Sequence, residues 1–165
     1  MISILMAEDS LRDAEMTLNA LEDYKLVNQI IHVLDGAEAL DYLYRRGAFA
    51  GRPPGNPGLV LLDLKMPKVD GLEVLRQIKS DPALRMIPTI IMTSSREEQD
   101  VVNSYALGVN AYVIKPLIFH KFVDAVKQVG SFWAFTNQPP EGTTNFEDHE
   151  SIIKPAHPLI QTPEI

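Results

Sequence analysis

Polar side chains follow four short apolar segments of the sequence, and their chemistry gives the first indication of function. Glu8 and Asp9 follow the first segment, Asp63 follows the third, Thr93 ends the fourth and Lys115 follows the fifth. Two carboxylates about 4 Å apart repel by roughly 4 kcal/mol at an effective dielectric of about 20. Three carboxylates gathered together therefore require a cation, and oxygen ligands of this kind suit Mg²⁺.

A magnesium site beside a lysine favours phosphoryl transfer, in which catalysis consists largely of positioning and charge neutralisation. A carboxylate can itself be the nucleophile, which yields an aspartyl phosphate. We interpret Asp63 as that nucleophile. Each residue alone has an ordinary structural explanation: a helix cap at Asp9, a turn at Asp63, a strand residue at Thr93 and a strand end at Lys115. Their joint placement favours one functional site.

Alternating β-rich and helix-periodic segments predict βαβ units around a parallel sheet. The strand candidates are residues 2–7, 26–34, 59–63, 89–93 and 111–114, and most are continuously apolar, as strands covered on both faces are. Ligands of open parallel sheets bind beyond the carboxyl ends of the strands. The polar strand ends are therefore expected to form one pocket.

Five helices are expected between and after these strands. In the first, Ser10 is a candidate cap with Asp13 in capping-box spacing, and an apolar stripe starts at Leu11. The second, near residues 37–46, is expected to bury Tyr44 and to end at Gly47 as a left-handed cap. Residues 72–79 and 97–107 predict the third and fourth helices, and residues 52–58, rich in proline and glycine, predict an inserted surface loop.

The fifth helix is expected to begin after Pro116 and to carry an apolar stripe from Phe119 to Trp133. The aromatic residues at its far end, Phe132, Trp133 and Phe135, exceed what a small sheet needs and predict an interface. We expect a homodimer through helices four and five. Residues 131–165 are interpreted as an extension of this helix followed by a proline-rich acidic tail that reaches the partner.

Composition limits the class of protein. A chain of 165 residues with 45% apolar and 22% charged residues suits one globular domain. The net charge of −7 has the wrong sign for general binding of nucleic acid, and no cysteine is present to form a disulfide or a thiolate metal site. No apolar run reaches membrane-spanning length and no basic leader precedes Glu8, so a soluble cytoplasmic protein without a membrane partner is expected.

These motifs resemble the receiver domain of bacterial two-component response regulators. The resemblance rests on Glu8-Asp9-Ser10, on residues 63–71, which are close to D-x-x-M-P-x-x-D-G, on Thr93, and on Tyr112 with Lys115-Pro116. It covers about residues 1–130. It implies a flavodoxin-like α/β fold with strand order 2-1-3-4-5, and a stand-alone regulator that serves as phosphoacceptor rather than as a metabolic enzyme.

The resemblance also implies a cofactor, a partner and a metal site. Asp63 would accept a phosphoryl group from the phosphohistidine of a sensor histidine kinase. Asp9, Asp63 and the backbone carbonyl of Lys65 would ligate Mg²⁺, and Glu8 would act through a metal-bound water. The inserted loop, together with Ser131-Phe132-Trp133, looks like the single-domain regulators that are paired with bacterial phytochrome kinases.

Three residues of the resemblance concern the response to phosphorylation. Lys115 would contact the phosphoryl oxygens, and Thr93 would hydrogen-bond the same group and draw its loop inward. Tyr112 would turn in behind Thr93 and change the face made by helix four, strand five and helix five. In physical terms, a phosphoryl group adds about −1.5 to −2 charge and biases an element that has two states.

Three alternatives remain at this stage. A phosphohydrolase with an aspartate nucleophile is expected to carry a second acid two residues later, where this chain has Lys65. A flavin or nucleotide carrier is expected to have a glycine-rich loop after the first strand, where Glu8-Asp9-Ser10 stands. A scaffold with the same shape that works without phosphate would not need intact acid, threonine and lysine positions.

Overall fold

The computed structural model describes residues 2–24 and 30–143. Five strands and five helices alternate along this part of the chain: β1 Ile4–Ala7, α1 Leu11–Glu22, β2 Ile30–Val33, α2 Gly36–Tyr44, β3 Leu59–Leu62, α3 Gly71–Ser80, β4 Thr89–Thr93, α4 Glu98–Ala106, β5 Ala111–Ile114 and α5 Phe119–Ser131. A 3₁₀ turn, Gly47–Phe49, follows α2, and a π-helical turn, Phe132–Thr136, follows α5. Residues 26–29 of the predicted second strand and the tail after residue 143 lie outside the described residues.

The strands form one parallel sheet in the order β2-β1-β3-β4-β5. This confirms the predicted flavodoxin-like α/β fold. Central β1 shows why the strands are continuously apolar: Leu5 and Ala7 pack into one core cluster, whereas Ile4 and Met6 pack into another on the opposite face. Successive side chains of a strand point to opposite faces, so a sheet covered by helices on both faces needs apolar residues at every position. No helix in the described ranges is long and apolar enough to cross a membrane.

The end of α2 differs from the prediction. The helix ends at Tyr44, and Arg45 rather than Gly47 is the left-handed residue that closes it, with φ of 55°. Gly47 is also left-handed, at φ 58°, but it begins the following 3₁₀ turn. The expectation that Tyr44 is buried is wrong: Tyr44 is exposed and Tyr42 is buried, because Tyr42 faces the ring of Phe49 at 5.2 Å.

The predicted surface loop at residues 52–58 is partly buried, which corrects that prediction. The Arg52 side chain is buried, and its guanidinium lies 4.3 Å from the centre of the Tyr42 ring. Its N–H groups donate to the carbonyls of Tyr42 (2.7 Å), Leu43 (3.3 Å), Pro53 (3.0 Å) and Gly55 (2.9 Å). Two of these acceptors, the carbonyls of Tyr42 and Leu43, belong to the last turn of α2, where carbonyls lack the usual helical partner four residues on. The guanidinium group of Arg52 thus anchors the inserted loop to the core.

The first turns of α1 and α5 expose apolar residues that the apolar stripes in the sequence predicted to be buried. Leu11 and Phe119 are exposed, whereas Leu18, Phe122 and Val126 are buried. Helix α5 begins only at Phe119, so this residue lies at the margin of the sheet rather than above it. The correction matters for function, because both first turns adjoin the polar strand ends.

The chain after α5 returns along the molecule. Trp133 is partly buried against the core cluster of β1 and α1, while Phe132 and Phe135 remain exposed. The Asn56 backbone N–H of the inserted loop donates to the Gly142 carbonyl at 3.2 Å. Residues 140–143 therefore pack against the same chain.

Gly71 brings α3 close to the end of β3. Its backbone N–H donates to the Leu64 carbonyl at 2.7 Å, and a Cβ atom at this position would lie 2.1 Å from the carbonyl oxygen of Asp63. Asp70 caps the same helix by accepting a hydrogen bond from the Glu73 N–H at 2.9 Å. The aspartate-glycine pair thus starts α3 directly against the backbone of the candidate nucleophile.

We expect Gly71→Ala to lower the free energy of unfolding by about 1–3 kcal/mol, because the added methyl group overlaps backbone that cannot move aside as a side chain would. Chemical denaturation measures this change. Gly51→Ala is the matched control, since no atom lies within 4 Å of the added carbon there, and its effect should stay within about 0.5 kcal/mol. Equal stability of the two variants would contradict the close approach.

Candidate functional site

Three carboxylates lie together at the carboxyl ends of β1 and β3. These strands are neighbours, and Ala7 pairs with Leu62, so the residues that follow are brought side by side. Carboxylate oxygens of Glu8, Asp9 and Asp63 all lie within 4.8 Å of one another. Glu8 and Asp63 are buried and Asp9 is exposed. The predicted gathering of acids is therefore present in the structure.

Backbone hydrogen bonds hold these carboxylates in place. The Glu8 N–H donates to the Val33 carbonyl at 3.0 Å, and the Asp63 N–H donates to the Ala7 carbonyl at 3.1 Å. Glu8 Oε1 accepts from the Ser10 N–H at 2.9 Å. Nε2 of the buried His32 lies 2.8 Å from the Glu8 carbonyl oxygen. The acids are thus fixed by the sheet and by the turn into α1.

One ammonium group neutralises part of this charge. Lys115 follows β5 and is buried, and its backbone N–H donates to the Thr93 carbonyl at 2.7 Å. Its Nζ donates to Asp63 Oδ2 at 2.9 Å, to Asp13 Oδ2 at 2.8 Å and to Glu8 Oε2. The peptide bond between Lys115 and Pro116 is trans. Lys115 therefore joins the end of β5 to residues that follow β1 and β3.

The ionisation of these groups reflects burial and charge imbalance. Burial raises the pKa of Glu8 to about 7; Lys115 opposes this shift and the Asp63 charge adds to it. Burial disfavours the charged form of Lys115, but the surrounding carboxylates, Glu8 first, outweigh it and raise the pKa of the ammonium. Lys115 is therefore charged, while the acids around it carry more negative charge than it neutralises.

The donor set fits a hard divalent cation. The three carboxylates offer oxygen ligands, the exposed Asp9 leaves the cluster open to solvent, and the remaining negative charge calls for a further positive charge. Glu8, Asp9 and Asp63 are thus able to hold Mg²⁺. The backbone carbonyl of Lys65 is predicted as a further ligand. Lys65 lies in the turn that follows Asp63, and its own N–H donates to Asp63 Oδ1 at 3.4 Å.

The predicted switch residues are linked through Ser95. Thr93 is buried at the end of β4, and its Oγ1 accepts from the Ser95 N–H at 3.3 Å. The Tyr112 hydroxyl donates to the Ser95 carbonyl at 3.2 Å, and burial raises the pKa of that hydroxyl. Ser95 Oγ donates to Asp100 Oδ2 on α4 at 2.6 Å. The loop after β4 is therefore tied to β5 and to α4 at one residue.

Lys65 points away from the acids. Its side chain is largely exposed, and its Nζ lies 3.7 Å from Glu97 at the start of α4. The position two residues after Asp63 therefore carries a cation that faces the loop after β4.

The structure brings most predicted site residues together and adds three that sequence analysis missed. Asp13 was considered only for its capping-box spacing, although a position in the first turn after Glu8-Asp9 was a usable signal. Ser95 and Asp100 gave no signal, because serine and aspartate are common at the start of a helix. The interface candidates Phe132, Trp133 and Phe135 lie after α5, where Phe135 faces the ring of Tyr24 at 6.0 Å.

Comparison with known proteins agrees with this arrangement. Residues 4–127 match the family model of the response regulator receiver domain. The chain is 38% identical over 133 residues to the response regulator Rcp1 of Synechocystis sp., an alignment that covers 81% of this chain and 89% of Rcp1. A crystal structure of the Mn²⁺-bound form of Rcp1 aligns with a TM-score of 0.78 and 36% identity, over 85% of this chain and 99% of the other.

Two further solved structures are similar along most of the chain. The phosphorylated cyanobacterial phytochrome response regulator RcpA aligns with a TM-score of 0.80 and 37% identity, over 85% of this chain and 99% of the other. The bacteriophytochrome response regulator RtBRR aligns with a TM-score of 0.68 and 57% identity, over 87% of this chain and 86% of the other. The chain therefore belongs to the response regulator receiver domain family and is related to the phytochrome response regulators.

Proposed function

We propose that this chain is a stand-alone phosphoacceptor that receives a phosphoryl group on Asp63 from a histidine kinase. The observation that carries the proposal is the convergence of Lys115 Nζ and the carboxylates of Glu8 and Asp9 on Asp63. A buried ammonium 2.9 Å from a carboxylate oxygen is placed to bind the oxygens of an incoming phosphoryl group.

The reaction is a transfer between two nucleophilic atoms. An Asp63 oxygen forms a bond to phosphorus as the phosphorus–nitrogen bond of the donor breaks, and the departing imidazole nitrogen keeps the electron pair and takes a proton from solvent. Lys115 binds the phosphoryl oxygens and so offsets their charge. Such a chain promotes its own phosphorylation and dephosphorylation.

Mg²⁺ is the cofactor that we propose: Asp9, Asp63 and the Lys65 carbonyl would hold it, and Glu8 would act through water. When bound, the cation supplies positive charge that offsets the repulsion between the carboxylates and an anionic donor. A crystal structure of the related Rcp1 is of a Mn²⁺-bound form, which supports a divalent cation as cofactor. The chain's own part is to hold the ligand oxygens in place from two neighbouring strands.

Phosphorylation would be transmitted through the loop after β4. Thr93 would turn its hydroxyl towards the phosphoryl oxygens, which releases the Ser95 N–H that it now accepts from. Ser95 also holds Tyr112 and Asp100, so the shift would reach β5 and α4 together. The face made by α4, β5 and α5 is the proposed output surface.

A histidine kinase of the phytochrome type is the proposed upstream partner. The likeness to RcpA and RtBRR supports this partner. Leu117, Ile118 and Phe119 are exposed directly after Lys115-Pro116 and provide apolar surface beside the acceptor for a docked kinase. Kinases of this kind use ATP, and we therefore propose a cytoplasmic location.

The alternative functions have less support. A phosphohydrolase would need an acid near the leaving group, and the side chain two residues after Asp63 is the exposed Lys65. A scaffold that works without phosphate would gain nothing from a buried lysine held by three carboxylates, because such a cluster is costly unless it serves a site.

We also propose a homodimer through α4, α5 and the residues that follow. Val102 and Tyr105 are exposed on α4, and Phe132 and Phe135 are exposed after α5. The helices α4 and α5 precede and follow the edge strand β5, and exposed apolar side chains favour association. The tail after residue 143 is proposed to extend to the partner.

We expect Asp63→Asn to reduce Mg²⁺-dependent labelling by a radioactive small phosphodonor to background, because the amide cannot act as nucleophile. Chelation of Mg²⁺ should have the same effect on the natural chain. Asp124→Asn, on an exposed position of α5, is the control and should be labelled normally. Intact labelling of Asp63→Asn would remove this residue from the proposed role.

We expect Tyr112→Phe to loosen the loop after β4 without abolishing labelling of Asp63. The substitution removes one neutral hydrogen bond to the Ser95 carbonyl, worth about 1 kcal/mol, which corresponds to roughly fivefold faster amide exchange in residues 94–100. Hydrogen–deuterium exchange measures the effect. Tyr44→Phe removes an exposed tyrosine hydrogen bond to Asp81 instead and should leave the rates of these residues unchanged. Equal exchange in both variants would argue against the coupling.

We expect the full chain to sediment as a dimer, and a chain ending at Thr143 to shift towards monomer, because the proposed arm is removed while the packing of residues 140–143 is kept. Phe132→Ser should weaken the dimer about tenfold or more, as loss of an interface aromatic does. Leu11→Ser, at an equally exposed apolar residue outside α4 and α5, is the control. Monomeric behaviour of the full chain at all concentrations in analytical ultracentrifugation would refute the dimer.

A further inference from the structure

Asp13 contributes a fourth carboxylate to the site. It lies in the first turn of α1, 102 residues from Lys115 along the chain, and its Oδ2 accepts a hydrogen bond from Lys115 Nζ at 2.8 Å. Its position is independent of the strand ends that carry Glu8 and Asp63. The strand ends alone therefore do not predict Asp13, which is one of the groups that bind Lys115.

Lys115 has no donor to spare in this arrangement. An ammonium group has three N–H donors, and the three bonds of Lys115 run to Glu8, Asp13 and Asp63. A phosphoryl oxygen that binds Lys115 must consequently replace one of these carboxylates. The identity of the displaced group determines what phosphorylation costs.

Exposure and anchoring single out Asp13 as the group that is displaced. The side chain of Asp13 is 30% exposed, against 7% for Glu8 and 10% for Asp63. Glu8 is also held by the Ser10 N–H through its other oxygen. Asp63 cannot leave the site, because it is the acceptor that carries the phosphoryl group. A partly exposed carboxylate returns to water at the smallest desolvation cost, so it is the easiest of the three to release.

We propose that Asp13 is a positioning residue that holds Lys115 in the unphosphorylated chain and competes with phosphoryl oxygens for its ammonium group. This inference rests on the proposed function. Asp13 would therefore lower the affinity of the acceptor site for an anion. Its negative charge would raise the affinity for a divalent cation.

An ordinary structural role for Asp13 is distinguishable from this one. The backbone of Asp13 takes part in α1, since its N–H donates to Ser10 Oγ at 3.2 Å and its carbonyl accepts from Thr17 Oγ1 at 2.8 Å. Both contacts survive Asp13→Asn. An acid in the first turn also stabilises a helix through the helix dipole, but that effect would not change the affinities of two ligands in opposite directions.

The test compares two ligands in the full chain at pH 8 by calorimetric titration. The ligands are Mg²⁺ alone and, at saturating Mg²⁺, beryllofluoride as a stand-in for the phosphoryl group. In Asp13→Asn, we expect beryllofluoride to bind about twofold to fivefold more tightly and Mg²⁺ to bind about twofold to threefold more weakly, the range of a partly exposed ion pair. Asp13→Glu keeps the charge and should restore the natural pattern.

Glu15→Gln is the matched control, because Glu15 is exposed two residues further along the same helix and the change removes the same charge. Both of its affinities should match the natural chain. Unchanged beryllofluoride affinity in Asp13→Asn, or parallel weakening of both ligands, would overturn the role of Asp13. Absence of Mg²⁺-dependent beryllofluoride binding in the natural chain would instead overturn the proposed function. A thermal melt of each variant verifies that α1 and the fold are intact.

Discussion

The site depends on the ion pairs that the buried ammonium group of Lys115 makes with the carboxylates around it. Burying a carboxylate without a partner is costly, and several unpaired carboxylates at one sheet edge would oppose folding. Lys115 offsets this cost by binding Glu8, Asp13 and Asp63 at once. One positive charge is not enough for all of these acids, which is why burial is able to raise the pKa of Glu8 to about 7. The remaining imbalance keeps the site ready for a cation.

The sheet explains why a lysine occupies this position. Strands β3 and β5 are separated by β4, so their axes lie about 10 Å apart at the usual strand spacing. A side chain that starts after β5 must be long to reach an acid after β3, and lysine carries its charge on a four-carbon stem. The hydrogen bond from the Lys115 N–H to the Thr93 carbonyl aligns the start of that stem. Residue type, strand order and register thus act together.

The alternation of segments predicted a parallel α/β sheet and the strand ends predicted the acids, because an apolar strand and its first polar residue are local features of the sequence. The strand order came from the family resemblance. The contact of a side chain in a first helical turn depends on residues that are distant in the sequence. The bond between Asp13 and Lys115 was missed for this reason. The burial of Tyr42 rather than Tyr44 depends on Phe49, which lies outside the helix that carries both tyrosines. Arg52 looked like part of a surface loop because its partners are backbone carbonyls, which no residue pattern displays.

The network around Asp63 would couple the proposed phosphorylation to a change in conformation. The three donors of Lys115 are engaged with carboxylates, Thr93 Oγ1 accepts from the Ser95 N–H, and the Tyr112 hydroxyl donates to the Ser95 carbonyl. A phosphoryl group on Asp63 would take a hydrogen bond from Lys115 only if one of these carboxylates were released. Thr93 can donate its O–H, and turning it towards the phosphoryl group would release the Ser95 N–H. Each release moves a group that belongs to a different element: Asp13 on α1, or Ser95 before α4. The engagement of Lys115 with three carboxylates, together with the contacts of Ser95, is therefore the physical basis of the switch that we propose.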